Sequence, residues 1–177
     1  MPPEFITIGA YGWQAERFFD ALIAAHVDTF CDLRARRGVR GAEYSFANSM
    51  RLQAHLARLG IRYVHCPELV PSQAMREQQA AADKSSKTAK RQRATLSAAF
   101  IAAYQRERLA DFDSAAFVAG LGPEARIVAL FCVEREPAAC HRSLVADRLA
   151  RDLAAPVRHL IPDLVVGQPA DRGLFAA

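Results

Sequence analysis

Apolar residues along the chain follow two rhythms. Short runs rich in β-branched and aromatic residues, Phe5–Ile8, Thr29–Leu33, Ile61–His65, Ile127–Val133 and Pro156–Ile161, stop near glycine, proline or charge and predict strands. Between them apolar positions return every three or four residues, the mark of a helix that buries one face. Over Glu16–Val27 these are Phe18, Phe19, Leu22, Ile23 and Val27; over Ser49–Leu59 they are Met50, Leu52, Leu56 and Leu59, with Gly60 as the stop. Ser72–Arg108 has helical composition in two parts: an alanine- and glutamine-rich segment to Ala82, and a stronger helix near Thr88–Arg108 with Leu96, Phe100, Ile101 and Tyr104 on one side. Asp113–Leu121 predicts a short helix, and an amphipathic helix starts near Cys140. Arg34–Tyr44 and Cys66–Pro71 keep neither period and are expected to be loops.

Strands alternating with helices predict an open, mostly parallel α/β sheet of about five strands with helices on both faces, a Rossmann-like architecture. The first strand, helix and strand read as a βαβ unit whose parallel strands lie side by side. Residues 1–162 are expected to form a single domain, and 163–177 a C-terminal tail that is extended over the surface or loose.

Composition narrows the class without naming a function. A chain of 177 residues can bury one full core, and a 51% apolar, 24% charged composition excludes a disordered or fibrous chain. No apolar run is long enough to cross a bilayer, and MPPEFITIG leads straight into strand-like sequence, so no membrane partner and a cytoplasmic location are expected. The four cysteines are then expected to be reduced thiols. A net charge of +4 points only weakly to an anionic ligand or nucleic acid.

In open α/β sheets the ligand crevice lies outside the carboxyl ends of the strands. That rule gathers the unusual residues onto one rim: Gly9 and Tyr11, Asp32 and Arg34, His65 and Cys66, then Cys132 and Glu134. Past the last of these strands, Cys140, His141 and Arg142 stand together at a helix start. If Pro137 occupies the first helical turn, backbone N–H groups and the helix dipole there favour a thiolate or a bound anion. Arg142 and Arg34 are candidates to hold the anion, Asp32 to orient a hydroxyl, Glu134 to act as acid, base or nucleophile, and Cys132 or Cys140 to offer a reactive thiol. Plainer roles compete with each. The cysteines and His141 can fill space, Arg142 can pair with Glu134 or Glu136, Asp32 and Arg34 can form a solvated ion pair, and His26, His55 and His159 read as structural.

A metal site from Cys132, Cys140 and His141 is disfavoured, because seven residues separate the cysteines and no second pair completes a ligand set. Lys84–Arg93 holds five cations and no acid; with Arg34–Arg40 it would make a phosphate-binding, nucleic-acid-facing surface if both lie on one side.

Thr7-Ile8-Gly9, Asp32 with Arg34, Phe46, Gly60-Ile61 with Tyr63 and His65, and Cys132 with Glu134, Cys140, His141 and Arg142 together resemble the bacterial and archaeal family catalogued as domain of unknown function four-eight-eight. The similarity runs to about His159, and the last of these motifs is the specific one. Where that family commonly carries a His-Ser pair after the first turn, this chain has Ala10 and Tyr11; VPSQA after Leu69 replaces a glycine-rich turn. The resemblance implies a Rossmann-like fold and a shared polar pocket. Some of the family's relatives look like nucleoside- or nucleotide-processing proteins, which implies a hydrolase or transferase on a small anionic ligand and names no cofactor.

Overall fold

The computed structural model describes residues 1–162. Five strands, β1 (Glu4–Gly9), β2 (Thr29–Asp32), β3 (Arg62–His65), β4 (Ile127–Cys132) and β5 (Val157–Leu160), form one parallel sheet in the order β3-β2-β4-β1-β5. Helices α1 (Ala15–Ala24) and α2 (Ser49–Arg58) cover one face; α3 (Gln73–Ser85), α4 (Ala98–Tyr104), α5 (Ser114–Leu121) and α6 (His141–Leu153) cover the other. The expected parallel sheet with helices on both faces is what the chain forms. The expected tail, 163–177, lies outside the described residues. Among those residues no helix is long and apolar enough to cross a membrane.

Alternation along the strands builds the two cores. Ile6, Ile8, Phe30 and Phe131 face α1 and α2, where they meet Phe18, Leu22 and Leu52. Phe5, Cys31, Val128 and Leu130 face the other way, onto Phe100, Tyr104, Val145 and Leu149. Full burial of each large side chain stabilises the fold by about 2 kcal/mol.

The pairing of β1 with β2 expected from their spacing is not formed, because β4 lies between them and pairs with both. The polarity of the strands explains the edges: β3 and β5 carry Arg62, His65, Arg158 and His159, whereas β1, β2 and β4 are buried along nearly their whole length and lie inside. Side-chain period reports which face a residue covers and is silent about neighbours.

The helix expected over Thr88–Arg108 starts only at Ala98. Residues 86–97 are a connector with one short 3-10 turn at Lys90–Gln92, and Ser97 caps α4 by accepting from the Phe100 N–H at 3.2 Å. A helix over this stretch would line up like charges without acids to offset them; the arginines instead reach partners elsewhere in the fold. After Tyr104 the helix widens into a π turn at Gln105–Leu109. Two residues expected on inner faces point outward, Ile23 at 50% and Met50 at 83% exposure, since Phe18, Phe19, Leu22, Leu52 and Leu56 already fill those faces.

Candidate active site

Register brings the carboxyl ends of the central strands level: Gly9 is opposite Cys132, Asp32 opposite Phe131 and His65. The expected rim residues therefore share one end of the sheet, but they divide between its two faces.

On the side of α6, β4 ends at Cys132 and a turn leads to Cys140, which is the N-cap of α6; Pro137 belongs to a separate 3-10 turn, Pro137–Ala139, instead of the first turn of the helix. Cys132, Cys140 and His141 are 7%, 2% and 7% exposed. The His141 Nε2 is 3.0 Å from the Leu33 carbonyl, which can only accept, so Nε2 carries the proton and donates. The other ring nitrogen, Nδ1, lies 3.8 Å from Cys140 Sγ. Burial opposes ionisation of Cys140, but a hydrogen bond from Cys132 and the fields of His141 and Arg142 outweigh it and bring that thiol well below its ordinary range. Cys132 is pushed up by its hydrogen bond to Cys140 and by burial. A second thiol pair, Cys31 and Cys66, lies within the core; the hydrogen bond between them and burial push Cys31 up.

Glu134 is 5% exposed, and its Oε1 is 3.1 Å from Arg93 Nη2. Arg93 also donates from Nη1 to Asp83 at 2.7 Å and from Nε to the Ala139 carbonyl at 3.3 Å. The last cation of the basic run is thus an internal partner of the candidate acid. Residues 86–97 hold to the rim at a further point, where the Leu96 N–H donates to Ala138.

Arg142 was a candidate anion clamp, yet its side chain is fully buried and holds the chain itself. Nη1 donates to the Glu134 carbonyl at 2.6 Å and Nη2 to the Arg135 carbonyl at 2.9 Å, while Nε has no partner among the described residues. The turn it fastens is pressed onto β1, so that a Cβ on Gly9 would lie 1.8 Å from the Glu134 oxygen. Gly9 is required there by close approach of backbone.

On the side of α1 and α2, Asp32 and Arg34 form a buried two-pronged pair instead of a solvated one, at 2.8 and 2.7 Å. Arg34 Nη1 donates to the Ala47 carbonyl at 2.8 Å, and the guanidinium lies 4.6 Å from the Phe131 ring centroid. Tyr63 donates to Asp32 Oδ2 at 2.7 Å, and His65 Nε2 contacts the Arg34 carbonyl at 3.2 Å. Both oxygens of Asp32 are thus engaged within the protein, and the pair holds the loop that follows β2.

The mouth of the rim has an aromatic and cationic lip. Tyr11 and Tyr44 meet edge to face at 5.1 Å, and the Arg91 guanidinium lies 4.9 and 5.2 Å from their ring centroids. Arg91 also donates to the Arg40 carbonyl at 2.9 Å and pairs with Glu43 at 3.5 Å. The two basic segments accordingly lie on one side of the molecule. Arg36, Arg37 and Arg40 are exposed beside them. Surface hollows beside α2, lined by Phe19, Arg51 and His55, and between α3 and α4, lined by Met75 and Ala99, include no rim residue.

The sequence does not mark Tyr44 or Tyr63 as members of the site, and it marks Arg91 and Arg93 only as part of a basic surface run. Tyr63 had a signal, since it alternates with His65 on a strand that ends at the rim. Arg93 had none, because its acid lies 41 positions away.

The family described as Domain of unknown function DUF488 matches residues 14–149, more than half of the chain and all of the rim except Gly9 and Tyr11. No curated protein and no solved structure matches it.

Proposed function

This chain belongs to the DUF488 family, and from that premise and the geometry of the rim we propose a small cytoplasmic enzyme that binds a nucleotide-like or other phosphate-bearing ligand over the strand carboxyl ends. One observation carries this reading. Arg91, from the connector, reaches the Arg40 carbonyl and covers Tyr11 and Tyr44, so two basic segments distant in sequence converge at the mouth of the rim. Exposed guanidinium groups present forked donors that match phosphate oxygens, and the tyrosine pair supplies aromatic surface beside them. The start of α6 adds backbone N–H groups and a favourable dipole.

Within this reading the anion meets the exposed guanidinium groups of Arg91 and Arg40, because Arg34 and Arg142 are buried and engaged inside the fold. Glu134 takes the proton from an attacking water or hydroxyl, in a hydrolysis or group transfer. Cys132, Cys140 and His141 form the inner wall beside it.

The test separates binding from chemistry. Across nucleotides and sugar phosphates, Arg91→Ala is expected to weaken the ligand that binds by about 10-fold or more, whereas Glu134→Gln keeps affinity and lowers turnover by about 10²–10⁴. Wild-type turnover in Glu134→Gln, or wild-type affinity in Arg91→Ala, would sink the reading. The same meeting of basic segments favours a second reading, nucleic-acid binding. That reading predicts affinity for a single-stranded oligonucleotide falling with salt at a slope of about 0.7 per phosphate contact; a flat response rejects it.

A further inference from the structure

We propose that Cys132, Cys140 and His141 are the protein ligands of a zinc-class cation. The proposal goes beyond the phosphate-ligand reading and does not depend on it.

Three observations support it. The donor atoms of the three residues all lie within 4.8 Å of one another, and all three side chains are buried. Tetrahedral zinc with thiolate bonds of about 2.3 Å separates its sulfur ligands by about 3.8 Å, so closure requires shifts of at most about 1 Å in side-chain positions. The fold also removes the objection raised by the seven-residue gap between the cysteines. One is the last residue of β4, the other the N-cap of α6, and Arg142 fastens the intervening turn.

The outer shell of the site agrees. A metal-bound histidine ordinarily donates its second ring N–H to a carbonyl or carboxylate, which fixes the tautomer and aims the other nitrogen at the ion. His141 has this arrangement: Nε2 donates to Leu33 at 3.0 Å and Nδ1 points toward Cys140 Sγ. Two sulfurs and an imidazole suit zinc and its neighbours and disfavour magnesium or calcium, which take oxygen. Two thiolates and a neutral imidazole also balance a dication, so the loaded site carries no net charge into the interior. Three protein ligands leave the fourth position of a tetrahedral ion to water or to a ligand, as in catalytic zinc sites.

The full chain is stripped with a chelator, dialysed against equimolar zinc or cobalt(II), and measured by elemental analysis and absorption. The expected result is one ion per chain, and for cobalt a sulfur-to-metal charge-transfer band with the visible bands of tetrahedral coordination. Cys140→Ser and His141→Ala are expected to lower affinity by more than about 100-fold, beyond what outer-shell changes cost, while Cys31→Ser leaves it unchanged. If the Cys140 or His141 variant fails to fold, the wild-type cobalt spectrum decides alone. No retained ion, an ion without the thiolate band, or equal losses in Cys31→Ser and Cys140→Ser would overturn the proposal. Failure here leaves the effect of Arg91→Ala on phosphate-bearing ligands intact, so the two readings fail separately.

Discussion

The α-carbon of Gly9 sits so close to the carbonyl of Glu134 that a methyl group on it would lie 1.8 Å from the oxygen. The end of β1 and the turn after β4 are pressed together, and Arg142 locks the turn from the other side. The position of Glu134, and with it the approach to α6, depends on this contact.

Gly9→Ala is therefore expected to force the turn away from β1 and to cost about 1–3 kcal/mol, the range for overpacking a filled interior. Gly120→Ala makes the control. It lies in α5, where an added methyl meets nothing within 4 Å, and it should be neutral or stabilise by up to about 1 kcal/mol. Urea denaturation of both variants checks the pair, and similar effects would contradict the close-contact account.

Arg142→Lys tests the turn lock. One guanidinium spans the carbonyls of Glu134 and Arg135, which a single ammonium cannot match in geometry. Loss of one charged hydrogen bond in the interior predicts about 1.5–3 kcal/mol of destabilisation in the same assay. Arg106→Lys, at an exposed pair with Glu107, should change stability by less than about 0.5 kcal/mol.

Tyr63 gives a pH signature. Burial and then its hydrogen bond to Asp32 raise its phenol above the ordinary value, with Arg37 pulling the other way. The folded state thus holds the proton to higher pH than the unfolded chain, whose phenol titrates near pH 10. The associated stability is present below that value and is lost as pH rises through the folded value. The stability difference between wild type and Tyr63→Phe should shrink as pH rises above about 10; a difference that stays constant in urea midpoints across that range would contradict the Tyr63–Asp32 link.

Much of this arrangement is legible in the residues. Period two and period 3.6 report burial directly, which is why all five strands, the two-faced packing and the grouping of Gly9, Asp32, His65 and Cys132 at one rim follow from pattern alone. Placing β4 between β1 and β2 does not follow, because all three are apolar strands buried nearly throughout and polarity does not rank them. Guanidinium partners are harder still. Arg34, Arg93 and Arg142 look alike in sequence to exposed Arg36 and Arg40, yet the first three are used within the fold. An arginine finds its acceptor through tertiary geometry, so a basic run could not be divided into structural and ligand-facing members beforehand. The connector at 86–97 shows the same limit, since its composition favours a helix while the side chains of Arg91 and Arg93 are drawn to the rim.

The central claim, a phosphate-bearing ligand held at the lip formed by Tyr11, Tyr44 and Arg91, is tested most directly by thermal shift. Wild type and Arg91→Ala are melted against inorganic phosphate, nucleotides, sugar phosphates and the matching unphosphorylated nucleosides and sugars. The predicted result is that at least one phosphorylated compound raises the wild-type Tm, its unphosphorylated counterpart does not, and Arg91→Ala loses the shift. Shifts that are the same with and without the phosphate, equal shifts in the variant, or none across the panel would contradict the claim.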